Sequence, residues 1–72
     1  MNSTRTPFRE LCRILDYVRE AGYECRLGEY LPLVEITDPI HSLENGLAVI
    51  RGERKVQICT MQEAVSFVEA RA

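Results

Sequence analysis

The chain has 72 residues, of which 46% are apolar and 28% charged, and its formal net charge is −2 with an isoelectric point near 5.3. A chain of this length forms one domain that buries only about 60% of the surface exposed when unfolded, so its core leaves little spare stability. The acidic balance provides no overall attraction to nucleic acid or anionic lipid. Residues 1–8 lack the apolar core of a signal peptide, no apolar run is long enough to cross a bilayer, and we expect a cytoplasmic location without membrane contact.

The first predicted element is a helix that follows a flexible leader of residues 1–5 and opens the single domain, residues 6–72. Thr6 and Pro7 favour a helix start, because threonine can cap a free N–H and proline has no N–H to leave unpaired. Apolar residues then recur at helical spacing, and Gly22 stands where a glycine commonly closes a helix. The predicted inward face comprises Phe8, Leu11, Cys12, Leu15 and Val18, and Ile14 widens it towards Tyr17 and Ala21.

Four short segments have the composition of β-strands: residues 23–27, 30–36, 47–50 and 55–59. We interpret Asp38-Pro39 as the end of the second strand and residues 38–46 as a loop. The glycine in the stretch RGER, residues 51–54, predicts a hairpin turn between the last two strands. The sequence therefore predicts three or four antiparallel strands after the first helix.

The last predicted element is a second helix in the stretch TMQEAVSFVEARA. Thr60 and Glu63 have the spacing of a capping box. Each helix has one apolar face, so the expected fold is α+β: helix, three or four antiparallel strands, helix, with both helices on one face of the sheet.

The other sheet face is left open in this arrangement and is the candidate interaction surface, with Arg26, Leu33, Ile50 and Gln57 as its expected contact residues. We expect a small non-catalytic module that binds an unidentified protein partner and forms a homodimer. Small acidic domains of this kind include adaptors and inhibitors encoded on phages and other mobile elements, which is an association rather than a mechanism.

Two other functions have candidate residues. The predicted basic turn, with Arg51, Arg54 and Lys55, could contact phosphates, so the alternative function is that of a nucleic-acid-binding domain. His41, the single histidine, has Asp38 and Glu44 close by in sequence and would be the centre of a small enzyme, whereas turn-forming residues at both ends favour a solvated connection.

The three cysteines, Cys12, Cys25 and Cys59, are widely spaced within apolar patterns. This spacing suggests neither a disulfide framework nor a paired metal motif, and we expect three buried thiols and no metal or cofactor.

The predicted order of elements resembles that of the double-stranded-RNA-binding domain and of the small HicA-type toxin ribonucleases. The first family implies lysines at the start of the second helix, which here reads TMQEAV. The second implies a Gly-Ser-His stretch on the second strand, which here reads GEYLPLVE. The resemblance therefore covers the topology, and no functional residue is carried over.

Overall fold

The structure, a computed structural model, describes residues 6–72, and the predicted leader, residues 1–5, lies outside the described residues. The elements are, in chain order, α1 (Phe8–Glu20), β1 (Glu24–Leu27), β2 (Val34–Glu44), β3 (Leu47–Ile58) and α2 (Met61–Glu69). The strands form one antiparallel sheet in the order β1-β2-β3. The predicted α+β fold is confirmed, with three strands. No helix within residues 6–72 has the length and apolar character needed to cross a membrane.

Both helices pack on the same face of the sheet. Ile14 and Val18 of α1 meet Val34 and Ile36 of β2 in the centre of the core, where all four side chains have no exposed surface. The remaining members of the buried cluster are Leu11, Cys25, Ile58, Ala64 and Phe67. The core therefore lies under the part of the sheet where all three strands pair, and the distal part of the β2–β3 hairpin contributes no residue to it.

The two helix starts differ from one another in how their free N–H groups are paired. The α2 start is confirmed as a capping box, in which Thr60 Oγ1 accepts a hydrogen bond from the Glu63 N–H and the Glu63 carboxylate accepts from the Thr60 N–H. A second N–H, that of Cys59, donates to the same carboxylate at 2.9 Å, and these bonds lower the pKa of Glu63. The predicted Thr6 cap is wrong, because Pro7 is the N-cap residue and Thr6 Oγ1 donates to the Cys59 carbonyl at 2.7 Å.

Strands β2 and β3 form one long hairpin, which corrects the predicted loop and the predicted turn. The hairpin turns at Asn45-Gly46, where both residues have positive φ (55° and 79°), as a type I′ turn requires. β1 covers β2 only from Val34 to Thr37, so Pro39 lies where one edge of β2 is free and a missing N–H is tolerated.

Gly28 precedes a bend in the chain and has no room for a side chain. A Cβ at this position would lie 2.8 Å from Leu33 Cδ1 and 2.9 Å from the Leu31 carbonyl oxygen. We expect Gly28→Ala to destabilise the domain by about 1–3 kcal/mol, since the backbone must shift to relieve the contact. Gly52→Ala is the matched control, because nothing lies within 4 Å of a Cβ there. Urea unfolding of both variants checks the prediction, and equal midpoints would contradict it.

Candidate interaction surface

The open sheet face, which lies opposite the helices, is polar in the half nearest the core. Here Arg26 pairs with Glu35 at 3.1 Å, and Lys55 donates to Thr37 Oγ1 at 2.8 Å and pairs with Glu53 at 3.2 Å. These groups satisfy one another within the chain. This half of the face therefore has the character of a solvated surface.

The far half of the hairpin, residues 40–50, is different, and we call it the arm. Its turn lies about 20 Å beyond the last β1 pair, since seven residues separate Thr37 from Glu44 at roughly 3.3 Å each. Leu43 is 77% exposed, Leu47 69% and Ile50 65%. Large side chains are therefore held in water where neither helix covers the strands.

Apolar side chains occupy both faces of the arm. Opposed residues of a register pair share a face, so His41 with Ile50 and Leu43 with Ala48 lie on the open face. The pairs Ser42 with Val49 and Glu44 with Leu47 lie on the other face. The usual alternation of an apolar inner face with a polar outer face is therefore absent from this part of the hairpin.

An open cavity of about 580 Å³ lies at the base of the arm, beside the start of β1, and we call it the notch. Its walls include Tyr23, Glu24, Thr37, Pro39, His41 and Ile50. The notch exists because β1 begins only opposite Thr37, so no third strand fills the space beside Pro39.

A buried carboxylate fixes the base of the arm to the end of α2. Asp38 is only 4% exposed and accepts from Arg71 through both carboxylate oxygens, at 2.8 and 3.3 Å. The Arg71 guanidinium also lies 3.7 Å from the centroid of the Phe67 ring, which packs edge-on against Tyr23. Arg54 approaches the same carboxylate at 3.4 Å. The hydrogen bonds from Arg71, with the nearby positive charges, lower the pKa of Asp38 in spite of its burial.

The four predicted contact residues differ in exposure and in position. Arg26, Ile50 and Gln57 are exposed on the open face, Ile50 in the arm and the other two near the core. Leu33 is buried and packs beside Gly28, which removes it from any contact surface. It lies one residue before β2, where the chain bends inward.

The predicted basic turn is wrong. Arg51, Arg54 and Lys55 lie within β3, and each has a carboxylate neighbour: Glu44, Asp38 and Glu53, respectively. Register places Arg54 on the helix side of the sheet, opposite Asp38, and Lys55 on the open face, opposite Thr37. The three cations therefore do not form one projecting positive cluster.

The predicted loop site around His41 is also wrong in its location. His41 lies within β2 and is exposed on the open face, opposite Ile50. Asp38 is bound to Arg71, and Glu44 pairs with Arg51. Neither carboxylate is therefore placed to orient the imidazole.

The thiols differ in exposure, which corrects the expectation of three buried cysteines. Cys25 is buried, Cys12 is half-buried, and Cys59 is exposed where the chain passes from β3 to α2. Burial raises the pKa of the Cys25 thiol, which opposes thiolate formation. Within residues 6–72, no three histidine, cysteine or acidic side chains are grouped to hold a metal ion.

The most informative residues of the arm, Leu43 and Leu47, were not among the predicted contacts. Their signal was the stretch LENGLAVI, because Asn-Gly between apolar residues is the strongest short-range indication of a tight hairpin. Arg71 carried no comparable signal, since its role depends on where Asp38 is placed in three dimensions.

Comparison of the chain with models of known protein families, with curated protein sequences and with solved structures gave no match.

Proposed function

We propose that the protein is a non-catalytic, cytoplasmic protein-interaction module of the adaptor or inhibitor type, and that the arm is its contact element. The observation that supports this most is the exposure of Leu43, Leu47 and Ile50 on an extension that contributes nothing to the buried core. Exposed apolar groups clustered in this way are typical of a surface that a partner covers.

The contrast with the rest of the open face strengthens the proposal. Near the core, the charged side chains pair within the chain, whereas the arm offers apolar groups on both faces. A long two-stranded extension is marginal in water without packing against another element. Contact with a partner supplies that packing and gives the extension a function.

The nucleic-acid alternative has weaker support from the geometry. Binding to nucleic acid depends on Lys and Arg side chains that are free to neutralise phosphates and so displace the counterions condensed on the backbone. Arg51, Arg54 and Lys55 are each close to a carboxylate of the same chain, and two of them lie on different faces of β3. The local charge is therefore nearly neutral.

The test of the proposed function is capture of partners from a lysate of the source cell by the tagged protein, with and without nuclease. The variant is Leu43→Glu, and the matched control is Leu31→Glu, a leucine that is 61% exposed in the bend before β2. We expect wild type and the control to retain the same protein and Leu43→Glu to lose it by at least ~10-fold, because a carboxylate is costly to bury in an apolar contact.

Two outcomes would contradict the proposal. Equal retention by Leu43→Glu and by wild type would remove the arm from the contact. Retention that disappears on nuclease treatment, and after Arg51 and Arg54 are changed to Ala, would instead establish nucleic-acid binding.

A further inference from the structure

We infer that the partner of the arm is a second copy of this chain, in a two-fold dimer in which the arms lie antiparallel and the tip of each arm enters the notch of the other. This inference rests on the proposed function and names its occupant. It depends on three features of the described residues: the charge of the arm, the spacing between its tip and the notch, and the area that the arm can bury.

The arm is close to electrically neutral although the chain is acidic. Glu44 is the one charged residue within residues 40–50 if His41 is neutral, and it pairs with Arg51 immediately beyond them. An arm that recognised a strongly charged partner would be expected to carry the opposite charge. A neutral apolar arm instead meets an identical arm without repulsion between like charges.

The arm and the notch are complementary parts of one open face. Leu43 projects near the tip and the notch lies at the base, beside Pro39. In an antiparallel arrangement with the two-fold axis beside His41, Leu43 of each copy lies over Pro39 of the other. Both contacts form at once, because in a two-fold interface residue i meets residue j and j meets i.

The area also favours this arrangement over contact along one arm face alone. A stable interface buries roughly 800 Å² on each partner. One face of a two-stranded ribbon about 20 Å long has a projected area of only about 200 Å² at a strand spacing of about 4.8 Å, which is well below that value. Filling the notch, which has a volume of about 580 Å³, adds the surface of Tyr23 and Glu24 to the contact.

The edges of the hairpin are less suitable than its open face. The free edge of β2 contains Pro39, and β3 carries a register shift opposite Ile40 and His41 followed by the charged stretch RGERK. Proline, irregular pairing and charged side chains all discourage the addition of another strand. The contact that remains is through side chains on the open face.

The test is sedimentation equilibrium over about 1–500 μM, in reducing buffer because Cys59 is exposed. We expect a reversible monomer–dimer equilibrium. Leu43→Glu should raise the dissociation constant by roughly 100-fold, since symmetry brings the substitution into the interface twice. Leu31→Glu, the matched control, should change it by less than ~2-fold. Circular dichroism will confirm that both variants keep the fold.

A second measurement maps the contact in the wild-type chain. In an equal mixture of isotope-labelled and unlabelled protein, we expect filtered nuclear Overhauser contacts from the Leu43 methyl groups of one copy to Tyr23 and Pro39 of the other. A chain that stays monomeric throughout the concentration range, or a dimer that shows no such contacts, would overturn the inference. If the monomer still captures a protein in an arm-dependent way, the proposed function stands; if it does not, both fail.

Discussion

Asp38→Asn is expected to lower the free energy of unfolding by about 2–4 kcal/mol, because it removes the charge of a buried carboxylate that accepts two charge-assisted hydrogen bonds from Arg71, whose side chain is 31% exposed. The carboxylate is 4% exposed and accepts two hydrogen bonds from Arg71. In a domain of this size, the loss corresponds to a fall in Tm of roughly 10–30 °C. Thermal unfolding at neutral pH measures it.

The same carboxylate makes stability depend on pH. The pKa of Asp38 is lowered in the folded chain, mainly by hydrogen bonding from Arg71, so the unfolded state binds more protons in the acid range. Its stabilising contribution is complete above the ordinary aspartate pKa of about 3.9 and is lost as the pH falls through the lowered value. Asp38→Asn should therefore flatten the acid limb of the stability curve and leave the part due to Glu63, whose pKa is also lowered.

Two control variants separate the ion pair from general effects of charge. Asp16→Asn changes an exposed aspartate of α1 and should alter stability by less than ~0.5 kcal/mol. Arg54→Gln removes a cation whose side chain is mostly exposed, and should cost less than ~1 kcal/mol. If Asp38→Asn were as stable as Asp16→Asn, the proposed role of Asp38 in fixing the arm to α2 would be wrong.

Local patterns in the sequence were sufficient for the helices and for the class of the fold. The predicted inward face of α1 is confirmed at Leu11, Ile14 and Val18, whereas Phe8, which was part of the same pattern, is 66% exposed. Thr60 with Glu63 predicted the start of α2. These signals reside in neighbouring residues, whose geometry is set by the helix itself.

The hairpin was predicted less well, because the sequence contains two turn signals and local composition does not distinguish between them. Gly52 was interpreted as a turn residue, whereas Asn45-Gly46 supplies the two positive φ values that a two-residue turn needs. Asp38-Pro39 also resembled a strand end. It is tolerated within β2 because Arg71 pairs with the buried carboxylate and the β1 edge is absent there, and both conditions are tertiary.

Placing the turn wrongly also misplaced the candidate site. A loop at residues 38–46 assigns Leu43 to neither face of the sheet and predicts that Arg51 and Arg54 project from a hairpin tip. With the turn at residues 45–46, the same residues become a strand pair with exposed apolar groups and internally paired charges. The site thus depended on register, which local composition specifies only weakly here.

A comparison of two isoleucine substitutions should show that the arm is not required for folding. Ile36→Ala, in the centre of the core, is expected to lower the free energy of unfolding by about 3–4 kcal/mol, through lost burial and the cavity it leaves. Ile50→Ala, in the arm, should lower it by less than ~0.5 kcal/mol when the chain is monomeric. The difference arises because Ile36 has no exposed surface, whereas Ile50 is already 65% exposed.

The comparison is made by urea unfolding in a Leu43→Glu background, so that association does not add to the stability of the folded state. The same two substitutions are then measured in the otherwise wild-type chain, where Ile50→Ala should weaken self-association and Ile36→Ala should act through folding. A large loss of monomer stability from Ile50→Ala would mean that the arm packs against its own domain. The arm would then not be available to bind a partner. If Ile36→Ala lowers the stability of the monomer and Ile50→Ala weakens only self-association, the core is required for folding and the arm is free to bind.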